Sequence, residues 1–494
     1  MTARPLNILL VASEAAPFAK TGGLGDVTGS LPAALTALGH RVVLVLPWYR
    51  CVRQAGIRPR ASRTPVLVPF AGRMTAVRFR SAVQHGVRLL FLDVPDYYDR
   101  PQLYGEGGTD YPDNDLRFGL LSRAAFELVR RIDFRPDVIH AHDWQTGLTP
   151  LYLREQLWAD PFFADSRSLF TIHNLGYHGL FPFASLHPLG LDSSLAGPDG
   201  LEFFGRISLL KAGIRYADRV NTVSPSYCDE IRTPAQGMGL DGLLRWRGEQ
   251  LHGILNGIDT DLWNPANDPA LAAPYAADRP AGKKDCKLAL QRELNLPECP
   301  RTPLLALITR LDPQKGIDLL LDAFDRLLEH DVQLVLLGTG SPDYERRLTE
   351  CARFYPDKVR VLLRFDDRLS RRIYAASDLF LMPSRYEPCG LGQLIALRYG
   401  SLPVVHATGG LRDTICDPQH DPARANGFTF EIFSRAELLA AVERALDFYR
   451  QQAHWQQLRR QAMQQNFSWS RAAGDYVDLY RRCREVPIYE KSKE

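Results

Sequence analysis

Four short segments carry residues suited to handling phosphate and sugar. In Lys20-Thr-Gly-Gly-Leu-Gly-Asp26 a cation and two adjacent glycines stand at the entrance to a helical pattern over 26–38. Gly22 and Gly23 would let backbone N–H groups approach a phosphate, the helix terminus adds partial positive charge, and Lys20 supplies a full one. A Gly-rich turn with a solvated lysine is the alternative. Thr408-Gly-Gly-Leu411 repeats the turn in the second half, which makes Thr408, Gly409 and Gly410 candidates for the same kind of contact. Arg310-Leu-Asp-Pro-Gln-Lys-Gly316 offers a bidentate fork and a point charge, together suited to a diphosphate that departs as an anion. Two solvated surface cations would read the same way.

In Ser384-Arg-Tyr-Glu-Pro-Cys-Gly-Leu-Gly-Gln393, Glu387 precedes a Gly-containing helix start. Its carboxylate could accept from sugar hydroxyls while the amides after Cys389, Gly390 and Leu391 face phosphate; a helix-terminal charge interaction is the plainer reading. His140-Ala-His-Asp-Trp144 and Thr171-Ile-His-Asn-Leu175 each end an apolar run. His142, Asp143, His173 and Asn174 would then hold sugar hydroxyls or a developing positive centre. His-x-His can chelate, but no third ligand is spaced to help, so no metal is expected. Nothing resembles a Gly-x-Ser-x-Gly nucleophile.

The elements that must position these residues alternate. Short, mostly unbroken apolar runs at 6–12, 41–46, 87–94, 137–141, 168–172 and 219–223 predict strands buried on both faces of a parallel sheet, and 304–309, 332–337, 358–363, 378–382 and 402–405 repeat the arrangement. Helical spacing covers 115–131, 199–217, 316–329, 343–354, 390–399 and 434–450. The fold class is α/β, with two doubly wound, Rossmann-like domains facing a central cleft at the carboxyl ends of both sheets. Periodicity stops near residue 257, which predicts domains over 1–257 and 258–468. A last helical pattern within 469–494 would pack back on the first domain.

Composition agrees with a folded globular chain of 494 residues, 45% hydrophobic and 24% charged, with 37 Gly and 34 Pro, too few for low complexity. Lys plus Arg total 60 against 57 acidic residues, so no field is expected that would gather nucleic acid or an anionic membrane, and any anion site must be local. The 8 scattered cysteines suggest neither a disulfide framework nor a zinc site and read most simply as cytoplasmic. Leu6–Ala12 is too short to span a membrane and reads as a first strand.

Taken in order, these segments resemble the bacterial glycogen synthase and plant starch synthase family. The resemblance runs from Ser13-Glu-Ala-Ala-Pro-Phe-Ala-Lys-Thr-Gly-Gly-Leu-Gly-Asp-Val27 through His140-Ala-His-Asp-Trp-Gln145, Thr171-Ile-His-Asn-Leu175 and Asn256-Gly-Ile-Asp-Thr260. It continues in Arg310-Leu-Asp-Pro-Gln-Lys-Gly316, Glu387-Pro-Cys-Gly-Leu391 and Thr408-Gly-Gly-Leu-Arg-Asp413.

The resemblance implies a GT-B glycosyltransferase fold, and retaining transfer of glucose from ADP-glucose to the non-reducing end of an α-1,4-glucan such as glycogen. It implies no metal and no organic cofactor. Arg310 and Lys315 would hold the diphosphate, with Lys20, Gly22 and Gly23 closing over it from the other domain. Glu387 would hold donor hydroxyls, and His173, Asp143 and Asn256 would position sugar and acceptor. Leu391 and Gly410 would act through the backbone, and Tyr104 and Tyr386 are candidates to stack on the nucleobase. The sequence departs from the family's usual Gly-Leu-Thr-Gln at Gly392, so a hydroxyl contact to phosphate is in doubt there. Ile395 stands where related retaining transferases carry a second carboxylate. A UDP-glucose enzyme of the same fold and a glucan-binding scaffold without turnover are the rival readings. The oligomeric state is left open, including a homo-oligomer.

Overall fold

A computed structural model describes residues 4–487. The chain forms two compact units, one running to Gly257 and taking in the segment from Trp469, the other comprising Ile258–Ser468. Among the described residues no helix is long and apolar enough to cross a membrane.

The main sheet of the first unit has 10 strands. Its parallel part runs, in spatial order, Leu251–Gly253, Arg219–Thr222, Arg167–Ile172, Val138–His142, Asn7–Val11, Arg41–Pro47 and Val87–Asp93. The central strands are apolar on both faces because helices cover both: Leu9, Leu10, Val45, Ile139 and Phe170 are fully buried. The chain begins at the middle with Asn7–Val11, builds outward through Arg41–Pro47 and Val87–Asp93, and then returns to the other flank with Val138–His142. That reversal creates a switch point, where the loops leaving two neighbouring strands diverge and leave room for a ligand. Past Val87–Asp93 the sheet turns antiparallel through Arg73–Gln84, which also pairs with Val66–Phe70 and Arg60–Ala61. The terminal helix Trp469–Arg484 buries Tyr476 and Tyr480 in this unit, and the Tyr480 hydroxyl lies 2.9 Å from His140 Nδ1.

The second unit holds a 6-stranded, all-parallel sheet in the order Val359–Leu362, Gln333–Leu337, Leu304–Ile308, Leu379–Met382, Leu402–His406, Phe428–Phe430. It too starts from its middle strand, so its switch point lies between Leu304–Ile308 and Leu379–Met382. Both units are therefore doubly wound and Rossmann-like.

One expected helix is corrected. Only Leu209–Tyr216 of the span 199–217 is helical; Glu202–Phe203 and Arg206–Ser208 form a hairpin that joins Leu180–Phe181 in a 3-stranded sheet. The turn residues Phe204 and Gly205 both adopt positive φ, 47° and 78°, which an α-helix excludes.

Candidate functional site

In the first unit the loop after Asn7–Val11 is organised by Glu14, a buried carboxylate that sequence reasoning passed over. Glu14 Oε2 accepts from the Thr21 amide at 2.6 Å, and Oε1 accepts from the Thr21 hydroxyl at 2.6 Å and the Tyr104 hydroxyl at 2.5 Å. Tyr104 is thereby fixed beside the loop, its ring against Phe118 and Trp144. Lys20 Nζ lies 2.7 Å from Asp26 Oδ1 in the first turn of helix Gly23–Ala37, and the amide of its N-cap Gly22 donates to Glu14 Oε2 at 3.4 Å. The amides a helix start offers to an anion therefore begin at Gly23. A Cβ added at Gly22 or Gly23 would meet nothing within 4 Å, and Gly22 has an extended φ of −159°. Neither packing nor conformation requires glycine at these positions, so the bare backbone leaves a cradle for something that approaches from outside. By contrast, Gly25 is pressed against Lys20 and Glu14, and a Cβ there would come within 3.1 Å.

Across the switch point, Asp143 and His173 meet. Asp143 Oδ1 accepts from the His173 amide at 2.7 Å. Asp143 itself is held at φ 55° and ψ −177°, a conformation disfavoured for any residue with a Cβ and sustained here by its surroundings. Burial pushes its carboxyl up to about 7, against the opposing pull of the His173 and Asn174 amides. His173 is pushed down to about 3 by burial, so its ring is neutral. Its Nε2 lies 3.1 Å from His142 Nδ1, a contact between the two histidine segments that sequence could not show. His142 packs against His140 with ring centroids 4.0 Å apart, and His140 in turn meets Thr171 Oγ1 at 2.6 Å.

Four polar atoms near these strand ends are buried with no hydrogen-bond partner among the described residues: His173 Nδ1, His142 Nε2, Gln145 Oε1 and Asn256 Oδ1. Buried polar groups are costly to leave unpaired, so these four atoms are candidates to bind a ligand's hydroxyls. Asn256 follows strand Leu251–Gly253, separated from the His173 strand by Arg219–Thr222.

In the second unit the two loops at the switch point converge. Lys315 Nζ donates to Glu387 Oε2 at 2.6 Å, and Ser384 Oγ donates to the same oxygen at 3.0 Å. Asp312 ties both candidate cations: Oδ2 lies 3.1 Å from Arg310 Nη1, and Oδ1 accepts from the Lys315 amide at 3.2 Å. Gly316 closes this turn at φ 69°, where a Cβ would strike the Pro383 carbonyl. Gln314 Nε2 donates to the Tyr386 carbonyl at 3.3 Å, so Tyr386 joins the same cluster.

The third loop, after Leu402–His406, lies directly on the Glu387 loop. The Gly410 amide donates to the Glu387 carbonyl at 3.1 Å. A Cβ on Gly409 would strike that carbonyl, and one on Gly410 would strike Cys389. The glycines after Thr408 are therefore fixed by backbone-to-backbone packing, unlike Gly22 and Gly23. Gly390 turns at φ 75°, its carbonyl and that of Cys389 accepting from Gln393 Nε2, and Leu391 leads into helix Gly392–Arg398. Each unit thus gathers its own candidates at the carboxyl edge of its own sheet. Glu14, Ser384 and Asp312 are the residues sequence reasoning did not assign; only their burial and partners reveal them.

Residues 7–246 match the family model for the starch synthase catalytic domain, and residues 295–462 match that for glycosyl transferases group 1. The chain is 49% identical over 490 residues to a glycogen synthase of Syntrophotalea carbinolica, covering 97% of this chain and 99% of that one. Among solved structures it is similar to the catalytic domain of starch synthase IV from Arabidopsis thaliana bound to ADP and acarbose, with TM-score 0.90, 40% identity, and coverage of 98% of this chain and 100% of that one. A sucrose-phosphate synthase from Thermosynechococcus elongatus shares the fold alone, at TM-score 0.60 and 20% identity over 97% of this chain and 99% of that one.

Proposed function

This chain belongs to the glycogen synthase and starch synthase family and is a glycosyltransferase, and we propose that it moves glucose from ADP-glucose to the non-reducing end of an α-1,4-glucan with retention at the anomeric carbon. The observation that carries the proposal is the Lys315, Glu387 and Asp312 cluster with Arg310: Lys315 is held on buried Glu387, and Arg310 on Asp312 of the same turn. Arg310 and Lys315 take the diphosphate and stabilise the charge that develops as it leaves. Glu387 accepts from glucose hydroxyls. Lys20 with the backbone at Gly22 and Gly23 binds phosphate, while His173, Asp143 and Asn256 hold the glucose and the acceptor hydroxyl. Tyr386 contributes beside the Lys315 turn, and Cys389, Gly390, Leu391, Thr408, Gly409 and Gly410 contribute backbone groups.

Retention is read as front-face attack. The bond from the anomeric carbon to the diphosphate oxygen breaks, the acceptor oxygen bonds to that carbon from the same side, and the acceptor proton passes to the departing diphosphate. Transfer of labelled glucose from ADP-glucose to glycogen, followed by β-amylase digestion, tests the linkage and the end extended. Label released as maltose supports the reading; label that resists release overturns it.

A further inference from the structure

The strand Leu402–His406 is buried along its whole length, yet it ends in an imidazole where an apolar side chain would pack at lower cost. The ring fills a slot between Phe430, stacked at 5.3 Å, and Phe433, edge-on at 5.5 Å. Both of its nitrogens face main-chain carbonyls: Nδ1 lies 2.8 Å from the Ser384 oxygen, and Nε2 lies 3.3 Å from the Glu431 oxygen. A carbonyl only accepts, so the ring must donate. The contact to Ser384 is the shorter and the more deeply buried, which places a proton on Nδ1.

Ser384 leads directly to the site. Its Oγ donates to Glu387 Oε2 at 3.0 Å, the oxygen that also receives Lys315 Nζ. Both donors use Oε2, which leaves Oε1 for the hydroxyls of a donor sugar. The next residue is tied to the Lys315 turn, since the Arg385 amide donates to the Gln314 carbonyl at 2.8 Å. The Ser384 carbonyl has His406 as its partner instead. The far side of the ring is firm as well: Arg412 Nη2 donates to the Ala407 carbonyl at 2.6 Å and to Glu431 Oε2 at 2.8 Å. His406 thus connects the loops that leave three neighbouring strands, Leu379–Met382, Leu402–His406 and Phe428–Phe430.

We infer that His406 is a positioning residue for glucose transfer: its Nδ1–H holds the Ser384 backbone where the Ser384 hydroxyl reaches Glu387, and so fixes the carboxylate that receives the donor sugar. The inference rests on the reading of the chain as a glucosyltransferase with Glu387 on the donor. Without the imidazole the buried Ser384 carbonyl loses its donor and the loop relaxes. Glu387 then keeps Lys315 as its tether and is no longer held at one angle.

Three substitutions in the full chain separate the groups involved. His406→Asn puts an amide N–H near the place of Nδ1, His406→Gln reaches the place of Nε2 instead, and His406→Phe keeps a ring without a donor. With ADP-glucose and glycogen, kcat per folded enzyme is expected to fall about tenfold in His406→Phe and His406→Gln, the size of one buried hydrogen bond, and to stay within about twofold of wild type in His406→Asn. The KM for glycogen should be unchanged in all three. In a Ser384→Ala background His406→Phe should cost little more, because the two residues act in series. An Asn variant no better than the Phe variant, or a Phe loss undiminished in the Ser384→Ala background, would overturn the assignment. If the wild-type protein transfers no glucose from ADP-glucose, the functional reading fails while ¹⁵N-histidine NMR still decides the clamp. A proton on His406 Nδ1 upholds it, and a bare Nδ1 overturns it.

Discussion

Lys315 Nζ lies 2.6 Å from Glu387 Oε2, joining two residues 72 positions apart that stand on the loops either side of one switch point. The carboxylate is buried and the ammonium nearly so. Each residue therefore sets the other's position as well as its charge. Lys315→Ala is predicted to lower turnover by about 10²–10³, as expected when a donor aimed at developing charge is removed. Ser384 keeps its hydrogen bond to Glu387, so the far-UV spectrum and a cooperative melt should persist. Near-normal turnover in the folded variant would contradict the role.

Asp143 provides a pH test. Its folded pKa, about 7, is raised above the ordinary carboxylate value of about 4. A carboxyl shifted this way contributes most stability when protonated; the contribution is complete below about pH 4 and is lost as pH rises through about 7. Asp143→Asn retains the oxygen that accepts from His173 and removes the titration. The variant's stability relative to wild type should be smallest near about pH 4 and should grow in its favour up to about pH 8, read by denaturant melts. A difference independent of pH would refute the burial argument.

The His142 and His173 contact predicts a tautomer. Both rings are neutral, so one donates across the 3.1 Å contact and the other accepts, leaving one orphaned donor and one orphaned acceptor. His142 is completely buried, whereas His173 retains slight exposure. An unpaired N–H is the costlier orphan, so it belongs on the ring a ligand can reach. His142 Nδ1 should donate to His173 Nε2, leaving the His173 proton on Nδ1, poised to donate to a sugar oxygen. Selective ¹⁵N-histidine NMR reads this directly. A proton on His173 Nε2 would reverse the assignment.

Much of this arrangement was legible in sequence, and the reason is physical. Runs such as Leu304–Ile308 and Gln333–Leu337 are buried on both faces and must be apolar throughout, so they announce parallel strands, and glycine-rich or charged residues just beyond them mark the loops. Arg73–Gln84 buries only Val77 and Phe79 and carries no such run. Helix Gly282–Glu293 hides its inner face because that face is polar: Lys287 Nζ meets buried Asp378 at 2.6 Å, and Lys283 Nζ donates to the carbonyls of Ala375 and Tyr399, both at 2.9 Å. Glu14 was opaque for another reason, since its importance lies in partners brought close only by the fold.

The glycines of the two Gly-Gly turns should respond oppositely to alanine. Gly23→Ala adds a methyl into open space at the start of a helix and should leave stability unchanged or raise it by about 0.5 kcal/mol. If that space receives phosphate, the KM for the nucleotide sugar rises. Gly409→Ala meets the Glu387 carbonyl at a positive φ of 46° and should destabilise by about 1–3 kcal/mol. Thermal melts with donor titrations check both. A normal donor KM in Gly23→Ala would remove the phosphate role from that loop.

The most direct measurement compares glucose transfer to glycogen from ADP-glucose and from UDP-glucose, each labelled in the glucose, using purified wild-type protein and Lys315→Ala. Label should enter precipitated polymer from ADP-glucose with the wild-type protein and fall to a small fraction with the variant. Label entering from UDP-glucose alone, or from neither donor while glycogen is still bound, would contradict an ADP-glucose-dependent glucan synthase.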